Sequence, residues 1–284
     1  GGETPVPYPL FKLKDILKSC SEVKASKGVC CRCRPISPNY SHWLRGVYKL
    51  AGSVLRFICL AIPQEDVTLT SAIKFTEIVQ KLNAAATPNQ NWYVVTGDIS
   101  NCYDELPHDA IMRAIEWALN MLKTWTRRRH VSYFSVNKSD RKQVTPTRNV
   151  YGYEWIEIED IDLLNICSFD VANSAVEVDG DIYLRRLGAP MGGFLSAFYA
   201  ILVFAFTEHT KVMPAFRALS LTGGIKRYLD DVAIMIAYTT VEECRSIKDF
   251  ISIVAAAYPK PLVLNMEEEG DQEFLEAHLS AVGP

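Results

Sequence analysis

The chain has 284 residues, 49% of them hydrophobic, and a formal net charge of −3 at pH 7. A sequence this long and this apolar can bury a large core, which excludes an intrinsically disordered protein. Its longest apolar runs, such as FLSAFYAILVFAF from Phe194, stop short of the roughly 18 residues that a membrane span requires. We therefore expect a globular protein without a membrane partner.

Helical and strand patterns alternate along the chain and predict an α+β fold. Helices are expected at about 41–61, 70–83, 106–123, 194–208 and 240–258, the last opened by a capping box of Thr240 and Glu243. Strands are expected at 91–100, on both sides of a turn at Asp230 and Asp231 within 223–238, and at 261–269 and 273–282. A polar, charge-divided section at about 123–182 interrupts the pattern.

The eight cysteines lack the paired spacing of zinc sites and the framework of a small secreted disulfide protein. We expect reduced thiols in an intracellular protein. The cluster VCCRCRPI fits an alternating strand, with Arg32 and Arg34 on one face and Cys31 and Cys33 on the other. A metal site on these cysteines would need distant partners.

Positive charge is concentrated in two regions despite the negative total. The section 123–148 carries eight cations against the single acid Asp140, whereas nine acids follow before Arg185 without a compensating Lys or Arg. The cations are Lys123, Arg127, Arg128, Arg129, Lys138, Arg141, Lys142 and Arg148. A second basic stretch covers 12–34, so a surface that binds nucleic-acid backbone could combine both regions. A solvated charged face is the alternative.

The pair Asp230–Asp231 sets two carboxylates side by side in a strand-rich stretch, and their repulsion indicates a bound cation. Asp98 ends another strand, which an antiparallel sheet can bring beside the hairpin. Oxygen ligands on so few residues suit Mg²⁺, and two such ions about 3.5–4 Å apart would assist a phosphoryl transfer. A solvated acidic turn is the plain alternative.

Three segments occur in the order DISNCYDELPH, GAPMGGFLSA and YLDD, and with them the chain resembles the reverse transcriptase superfamily. They resemble its motifs A, B and C. CRCRPIS is similar to the family's fingers strand, and KPLVLNMEEEGDQEFLEAHL resembles motifs D and E. The resemblance covers about residues 12–280, and motifs A and C are its specific parts.

The resemblance implies a role for each matching residue. It assigns catalysis to Asp98, Asp230 and Asp231, and coordination of two Mg²⁺ ions, with Mn²⁺ as a substitute, to Asp98, Ile99, Asp230 and Asp231. It assigns nucleotide binding to Arg32, Arg34, Tyr103, Gly192 and Ser196, and the primer grip to Phe274 and Leu275. We expect the nucleic-acid backbone to contact Arg127, Arg128, Arg129, Lys138, Arg141 and Lys142.

Physical reasons support three of these roles. An aromatic ring at Tyr103 leaves no room for a 2′-hydroxyl and so favours deoxynucleotides, although a half-buried aromatic at a helix start has the same signature. Gly192 lets the backbone approach the template base or nucleotide closely. Arg34 can hold a phosphate with two hydrogen bonds, unless it only pairs with a surface acid.

The chain departs from the family pattern at several points. Met191 stands where many reverse transcriptases have glutamine, and LNMEEE lacks the lysine that many relatives place there. The interval from Asp98 to Gly192 is 94 residues, longer than in retroviral enzymes, and its basic part RRRHVSYFSVNKSDRK resembles insertions of telomerase-like and intron-encoded relatives. A thumb is expected to be missing or supplied by another chain or further domain.

The resemblance thus implies right-hand polymerase fingers at 1–90 and a palm at 91–284, with the charge-divided section at about 123–182 as an insertion and helices packed on one face of an antiparallel palm sheet. The implied activity is RNA-directed DNA synthesis, with an RNA or DNA template and primer and deoxynucleoside triphosphates as partners.

Two other functions remain open. An RNA-dependent RNA polymerase could use Asp104 to read the ribose hydroxyl, but Ala200 stands where an asparagine is expected and the hairpin reads YLDD rather than GDD. A non-catalytic scaffold with a polymerase fold could bind RNA, although such domains commonly lose the acids that are present here.

Overall fold

The computed structural model describes residues 8–11, 33–36, 43–62, 67–69, 71–125, 132–147, 152–178, 181–267, 272–275 and 277–279. Its helices are α1 Arg45–Ala61, α2 Ala72–Ala85, α3 His108–Trp125, α4 Asp160–Ala172, α5 Ser196–Thr207, the π-helical turn Glu208–Val212, α6 Met213–Leu219 and α7 Val241–Ala257. Its strands are β1 Tyr8–Phe11, β2 Cys33–Ile36, β3 Asn91–Ser100, β4 Tyr133–Asn137, β5 Val144–Thr145, β6 Trp155–Glu159, β7 Ala175–Val178, β8 Asp181–Leu184, β9 Gly223–Tyr228, β10 Asp231–Tyr238, β11 Val263–Met266, β12 Gln272–Phe274 and β13 Ala277–Leu279.

The chain divides into two compact units. The first contains Gly1–Phe57 and His130–Tyr199, and the second contains Ile58–Arg129 and Ala200–Pro284. In the described part of the chain, no helix has both the length and the apolar character needed to cross a bilayer.

The second unit is built on a four-stranded antiparallel sheet in the order β11-β3-β10-β9. Its two central strands, β3 and β10, are rich in Val and Ile, which is typical of buried strands. Every residue of β10 except the first and the last is buried. Helix α7 begins at the predicted capping box, in which the Thr240 hydroxyl accepts from the Glu243 amide. Mixed helices and antiparallel sheet confirm the predicted α+β class.

One face of this sheet is covered by a small apolar cluster. Phe75 of α2 and Phe274 of β12 meet with ring centroids 4.6 Å apart, and Ala233 and Met235 of β10 belong to the same buried cluster. The segment 273–282 was predicted as one strand, but its described part forms the two-stranded hairpin β12–β13. Leu275, with φ of 50°, makes this hairpin turn possible.

The first unit contains the three-stranded sheet β5-β4-β6 and the two-stranded antiparallel sheets β1–β2 and β7–β8. Most of the charge-divided section therefore has regular structure, including helix α4. Its strands have two to five residues, and buried residues are confined to short stretches, such as Phe134–Val136 in β4 and Ile158 in β6. Periodicity over so few residues is a weak signal, which is why the sequence did not predict them.

The core of the first unit holds a buried carboxylate, Asp170 of α4. The Tyr199 hydroxyl donates to Asp170 Oδ2 at 3.0 Å. Burial raises the pKa of Asp170 to about 6, although the hydrogen bonds from Tyr199 and Tyr48 act in the opposite direction. Because the folded state holds this proton more tightly than the unfolded chain, Asp170 contributes stability at low pH that is lost as pH rises through about 6.

We expect Asp170→Asn to remove this pH dependence, since the amide oxygen still accepts from Tyr199 and carries no charge. The difference in unfolding free energy between wild type and variant should change by about 2 kcal/mol between about pH 4.5 and pH 7.5, in favour of the variant at the higher pH. Urea unfolding across this range measures it. The exposed Asp181→Asn serves as control, and identical profiles for the two variants would contradict the expectation.

Candidate active site

The hairpin between β9 and β10 carries the two adjacent aspartates. Tyr228 pairs with Asp231, so the turn consists of Leu229 and Asp230, one residue earlier than predicted. Leu229, the first of the two turn residues, has φ of 54°, in the left-handed region, whereas φ of Asp230 is not positive. Glycine usually fills that first position, so a leucine there holds a strained backbone. Asp230 is consequently a turn residue and Asp231 the first residue of a strand.

A row of polar side chains crosses the sheet at this end. Asp231 of β10 pairs with Asp98 of β3, which pairs on its other side with Asn265 of β11, and Tyr228 of β9 completes the row. Residues directly opposite each other in antiparallel strands project from the same face with Cβ atoms about 4.5–5.5 Å apart. Asp98 and Asp231 thus form a like-charge pair, an arrangement that destabilises a sheet unless a cation compensates it.

Hydrogen bonds fix the surroundings of Asp98. The Ile99 amide donates to the Asp230 carbonyl at 2.9 Å, which ties β3 to the hairpin turn. The Asn265 amide group donates to the Ser100 hydroxyl at 2.6 Å, and that hydroxyl donates to Asp98 Oδ2 at 3.4 Å. Asn265 and Ser100 were not predicted as site residues, because only the register of β11 on β3 brings them beside Asp98.

Gly97 explains why β11 can lie so close to β3. A Cβ atom at this position would lie 2.5 Å from the Asn265 carbonyl oxygen and 3.0 Å from Met266 Sδ. Since the nearer atom is backbone, any side chain at Gly97 would displace β11. Glycine directly before Asp98 therefore allows Asn265 to reach the row.

The ligand types at this sheet end fit a hard divalent ion. Carboxylate oxygens are the ligands that Mg²⁺ prefers. Asp98 is exposed and Asp230 and Asp231 are half-buried, so solvent reaches all three residues. Across the part of the chain that the structure describes, no group of three or more His, Cys, Asp or Glu side chains is arranged to hold a metal ion. Strand register brings two acids together, and metal coordination by Asp98, Ile99, Asp230 and Asp231 stays a prediction.

The predicted sugar gate, Tyr103, lies in the turn that follows β3. The amides of Asp104 and Glu105 both donate to the Asn101 carbonyl, and Asn101 has φ of 51°. Cys102 and Leu106 are buried on either side, whereas Tyr103 is half-buried. The residues on either side of Tyr103 therefore anchor the backbone of this turn. Tyr103 itself remains partly accessible to solvent.

The motif B segment lies in the first unit and forms a tight turn. The Pro190 carbonyl accepts from the Gly193 amide at 2.8 Å and from the Ser196 hydroxyl at 2.7 Å. Gly192, the third residue of this turn, has φ of 96°, as a type II turn requires. Ser196 thereby acts as a local brace at the start of α5, and its predicted contact with nucleotide stays a prediction.

The structure describes some of the basic residues that were predicted to bind the nucleotide or the nucleic-acid backbone. Arg34 lies in β2, opposite Leu10, whereas Arg32, Arg127, Arg128 and Arg129 lie outside the described residues. Lys138, Arg141 and Lys142 are exposed around the turn after β4. Asn137 Oδ1 accepts from the amides of Ser139 and Asp140, so this turn is braced by its own side chains, and Lys138 Nζ donates to the Tyr153 carbonyl.

Of the predicted primer-grip residues, Phe274 is buried at 2% exposure in the cluster with Phe75. Leu275 occupies the turn and is partly buried. The hairpin is tied to β3 by Gln272, whose side-chain oxygen accepts from the Thr96 amide at 3.0 Å. Since Thr96 lies two residues before Asp98 on the same strand, β12 is held close to the carboxylates.

Several solved polymerases share this fold. Apo telomerase from Candida tropicalis matches with a TM-score of 0.63 at 13% identity, over 98% of this chain and 47% of the other. Telomerase from Candida albicans in complex with a TWJ fragment of telomeric RNA gives 0.65 at 11% identity, over 98% and 46%. An RNA-dependent RNA polymerase recorded with vp4 and dsRNA gives 0.50 at 12% identity, over 90% and 22%.

At these identities the likeness concerns the fold, which is polymerase-like. The chain spans about half the length of the telomerase chains, 47% and 46%. Neither a protein-family model nor a curated protein matches the sequence.

Proposed function

We propose that this chain carries the palm-type active site of a nucleic-acid-templated polymerase that synthesises DNA on an RNA template. The observation that carries the proposal is the pairing of Asp98 with Asp231 at one end of the antiparallel sheet, with Asp230 in the adjoining turn. The polymerase-like fold supports it, because those acids lie on different segments that only this sheet brings together.

In the proposed reaction, the 3′-hydroxyl of a primer gives up its proton to solvent, its oxygen bonds to the α-phosphorus of a nucleoside triphosphate, and the bond to the pyrophosphate oxygen breaks, so that pyrophosphate leaves. Mg²⁺ supplies charge stabilisation for the attacking and leaving oxygens when bound. Asp98, Asp230 and Asp231 would hold the ions, and Ser100 and Asn265 orient the Asp98 carboxylate. Base pairing provides sequence specificity, while cations such as Arg141 and Lys142 would contact backbone phosphates.

DNA rather than RNA synthesis is proposed on account of Tyr103. It follows Asp98 in a turn whose backbone is fixed by Asn101, so its ring is held near the end of β3. A planar ring in that place would contact the sugar and exclude a 2′-hydroxyl. Telomerase, a fold neighbour solved with a fragment of telomeric RNA, supports RNA as a class of partner.

We expect Tyr103→Val to raise use of ribonucleotides, because a smaller side chain admits the 2′-hydroxyl. Primer extension on an RNA template, with each nucleotide class in separate reactions, should show the ratio of kcat/KM for dNTP over rNTP fall by about 10- to 100-fold. Tyr103→Phe is the matched control and should keep the wild-type ratio.

Two outcomes would replace this proposal. Wild-type extension with ribonucleotides alone would identify an RNA polymerase, the activity named for one of the fold neighbours. RNA binding without extension on any primer-template, in Mg²⁺ or in Mn²⁺, would identify a scaffold.

A further inference from the structure

Arg227, three residues before Asp230, is an unusual residue for the interior of a strand. Its side chain is entirely buried at 0% exposure and is the largest fully buried side chain among the described residues. A guanidinium removed from water destabilises a fold by several kcal/mol unless its charge and its donors are satisfied. Its partners therefore show what the buried charge is used for.

The partners of Arg227 come from three separate parts of the second unit. Glu208 accepts from Nε and, at 3.2 Å, from Nη2, and the two side chains form a buried ion pair. Nη2 also donates to the Thr68 hydroxyl at 2.8 Å, and the guanidinium carbon lies 5.2 Å from the centre of the Phe204 ring. Burial alone would lower the pKa of Arg227, but the facing Glu208 raises it, so the guanidinium keeps its charge.

The remaining contact of the guanidinium leads to the hairpin turn. Nη1 donates to the Leu229 carbonyl at 3.0 Å. This bond is partly buried and reaches back from the strand to a turn residue. It fixes the direction in which the Leu229–Asp230 peptide points.

Asp230 is consequently held on both sides. The carbonyl before it, that of Leu229, is bound by Arg227, and its own carbonyl is bound by the Ile99 amide next to Asp98. Two fixed peptide planes leave the Cα–Cβ direction of Asp230 little freedom, although Leu229 has the strained φ of 54°. The Arg227 backbone is itself fixed, because its amide donates to the Val67 carbonyl and its carbonyl accepts from the Leu69 amide.

We infer that Arg227, held by Glu208, is a positioning residue that presents the Asp230 carboxylate to the divalent ion. This inference rests on the proposed function, since it concerns the same carboxylates. Partners of metal ligands that set their direction typically change metal affinity by about 10- to 100-fold when removed. Glu208 begins the π-helical turn Glu208–Val212, and such turns occur frequently at functional sites.

The test separates positioning from stability by removing both charges of the ion pair together with the buried hydroxyl that donates to Glu208. In Arg227→Met/Glu208→Met/Tyr258→Phe, no buried charge is left unpaired, and the Tyr258 hydroxyl, which donates to Glu208 at 3.4 Å, is removed as well. Replacing a buried ion pair by apolar residues of similar volume is often neutral or stabilising. We expect an unfolding temperature close to wild type with a weakened metal site.

Mn²⁺ binding to the 284-residue chain, measured by loss of the free-ion EPR signal, is the readout. We expect about tenfold weaker binding in the triple variant, and faster hydrogen exchange at the Ile99 amide with unchanged exchange in α7. A folded triple variant with wild-type Mn²⁺ affinity overturns the inference. If the triple variant does not fold, Arg227→Lys replaces it, because an ammonium group keeps the charge but cannot span Glu208 and Leu229; wild-type affinity there also overturns it.

The variant Asp98→Asn tests the proposed function separately from the inference about Arg227. Weaker Mn²⁺ binding by Asp98→Asn than by wild type supports the carboxylate site whatever Arg227 does. Equal binding by those two proteins would overturn the proposed function, and the inference with it.

Discussion

Asp98→Asn is expected to lower primer extension by about a thousandfold while the fold persists, since several kcal/mol of transition-state stabilisation would be lost. Asparagine has nearly the same shape as aspartate, and its side-chain oxygen can still accept from Ser100. What changes is the charge opposite Asp231, and thereby the affinity for a divalent cation. Steady-state primer extension in Mg²⁺, compared with thermal unfolding of the same preparation, measures both effects.

The sign of the stability change gives this experiment a second readout. In the absence of divalent ions, Asp98→Asn removes a like-charge pair and should raise the unfolding temperature slightly. Asp109→Asn is the matched control, because Asp109 is exposed and forms an ion pair with Arg113 at 2.8 Å on the surface of α3. A variant at Asp98 as active as the control would contradict a metal role for this carboxylate.

The sequence predicted the strand ending near Asp98 and the hairpin with Asp230 and Asp231, because β-branched runs end there in turn residues. It could not predict the register, and a slip by one residue would move Asp231 to the opposite face of the sheet. The positions of Asn265 and Ser100 beside Asp98 follow from the register of β11 on β3. Polarity alone does not distinguish them from other surface residues of short strands.

The sequence also did not predict that Arg227 is buried. In GGIKRYLDD, Lys226 and Arg227 are consecutive cations, and nothing in the pattern indicates that Arg227 is fully buried. Its partner Glu208 lies 19 residues earlier, after the apolar helix α5, where a helix end predicts an exposed acid. Only the fold brings the two charges together. The one signal in the sequence is the position of Arg227 shortly before Asp230 and Asp231, which could have indicated a cation with a buried acidic partner.

Glu208→Ala is expected to lower the unfolding free energy by about 3–5 kcal/mol, because it leaves the Arg227 guanidinium buried without its counterion. The variant also removes the acceptor for the Tyr258 hydroxyl, which is buried as well. Water cannot reach a side chain with 0% exposure unless the surrounding core opens, so the charge stays uncompensated in the folded state. Urea unfolding followed by tryptophan fluorescence measures the loss.

Glu243→Ala is the matched control for Glu208→Ala, since it removes a glutamate that accepts hydrogen bonds from Thr239 and Thr240 at the surface, before the start of α7. We expect a much smaller loss there, because water can hydrogen-bond the amides of Thr239 and Thr240 that Glu243 leaves. Combining Glu208→Ala with Arg227→Met should recover most of the lost stability, as the unpaired charge is then absent. If the two single glutamate variants lose equal stability, the ion pair between Arg227 and Glu208 contributes nothing beyond an ordinary side-chain contact.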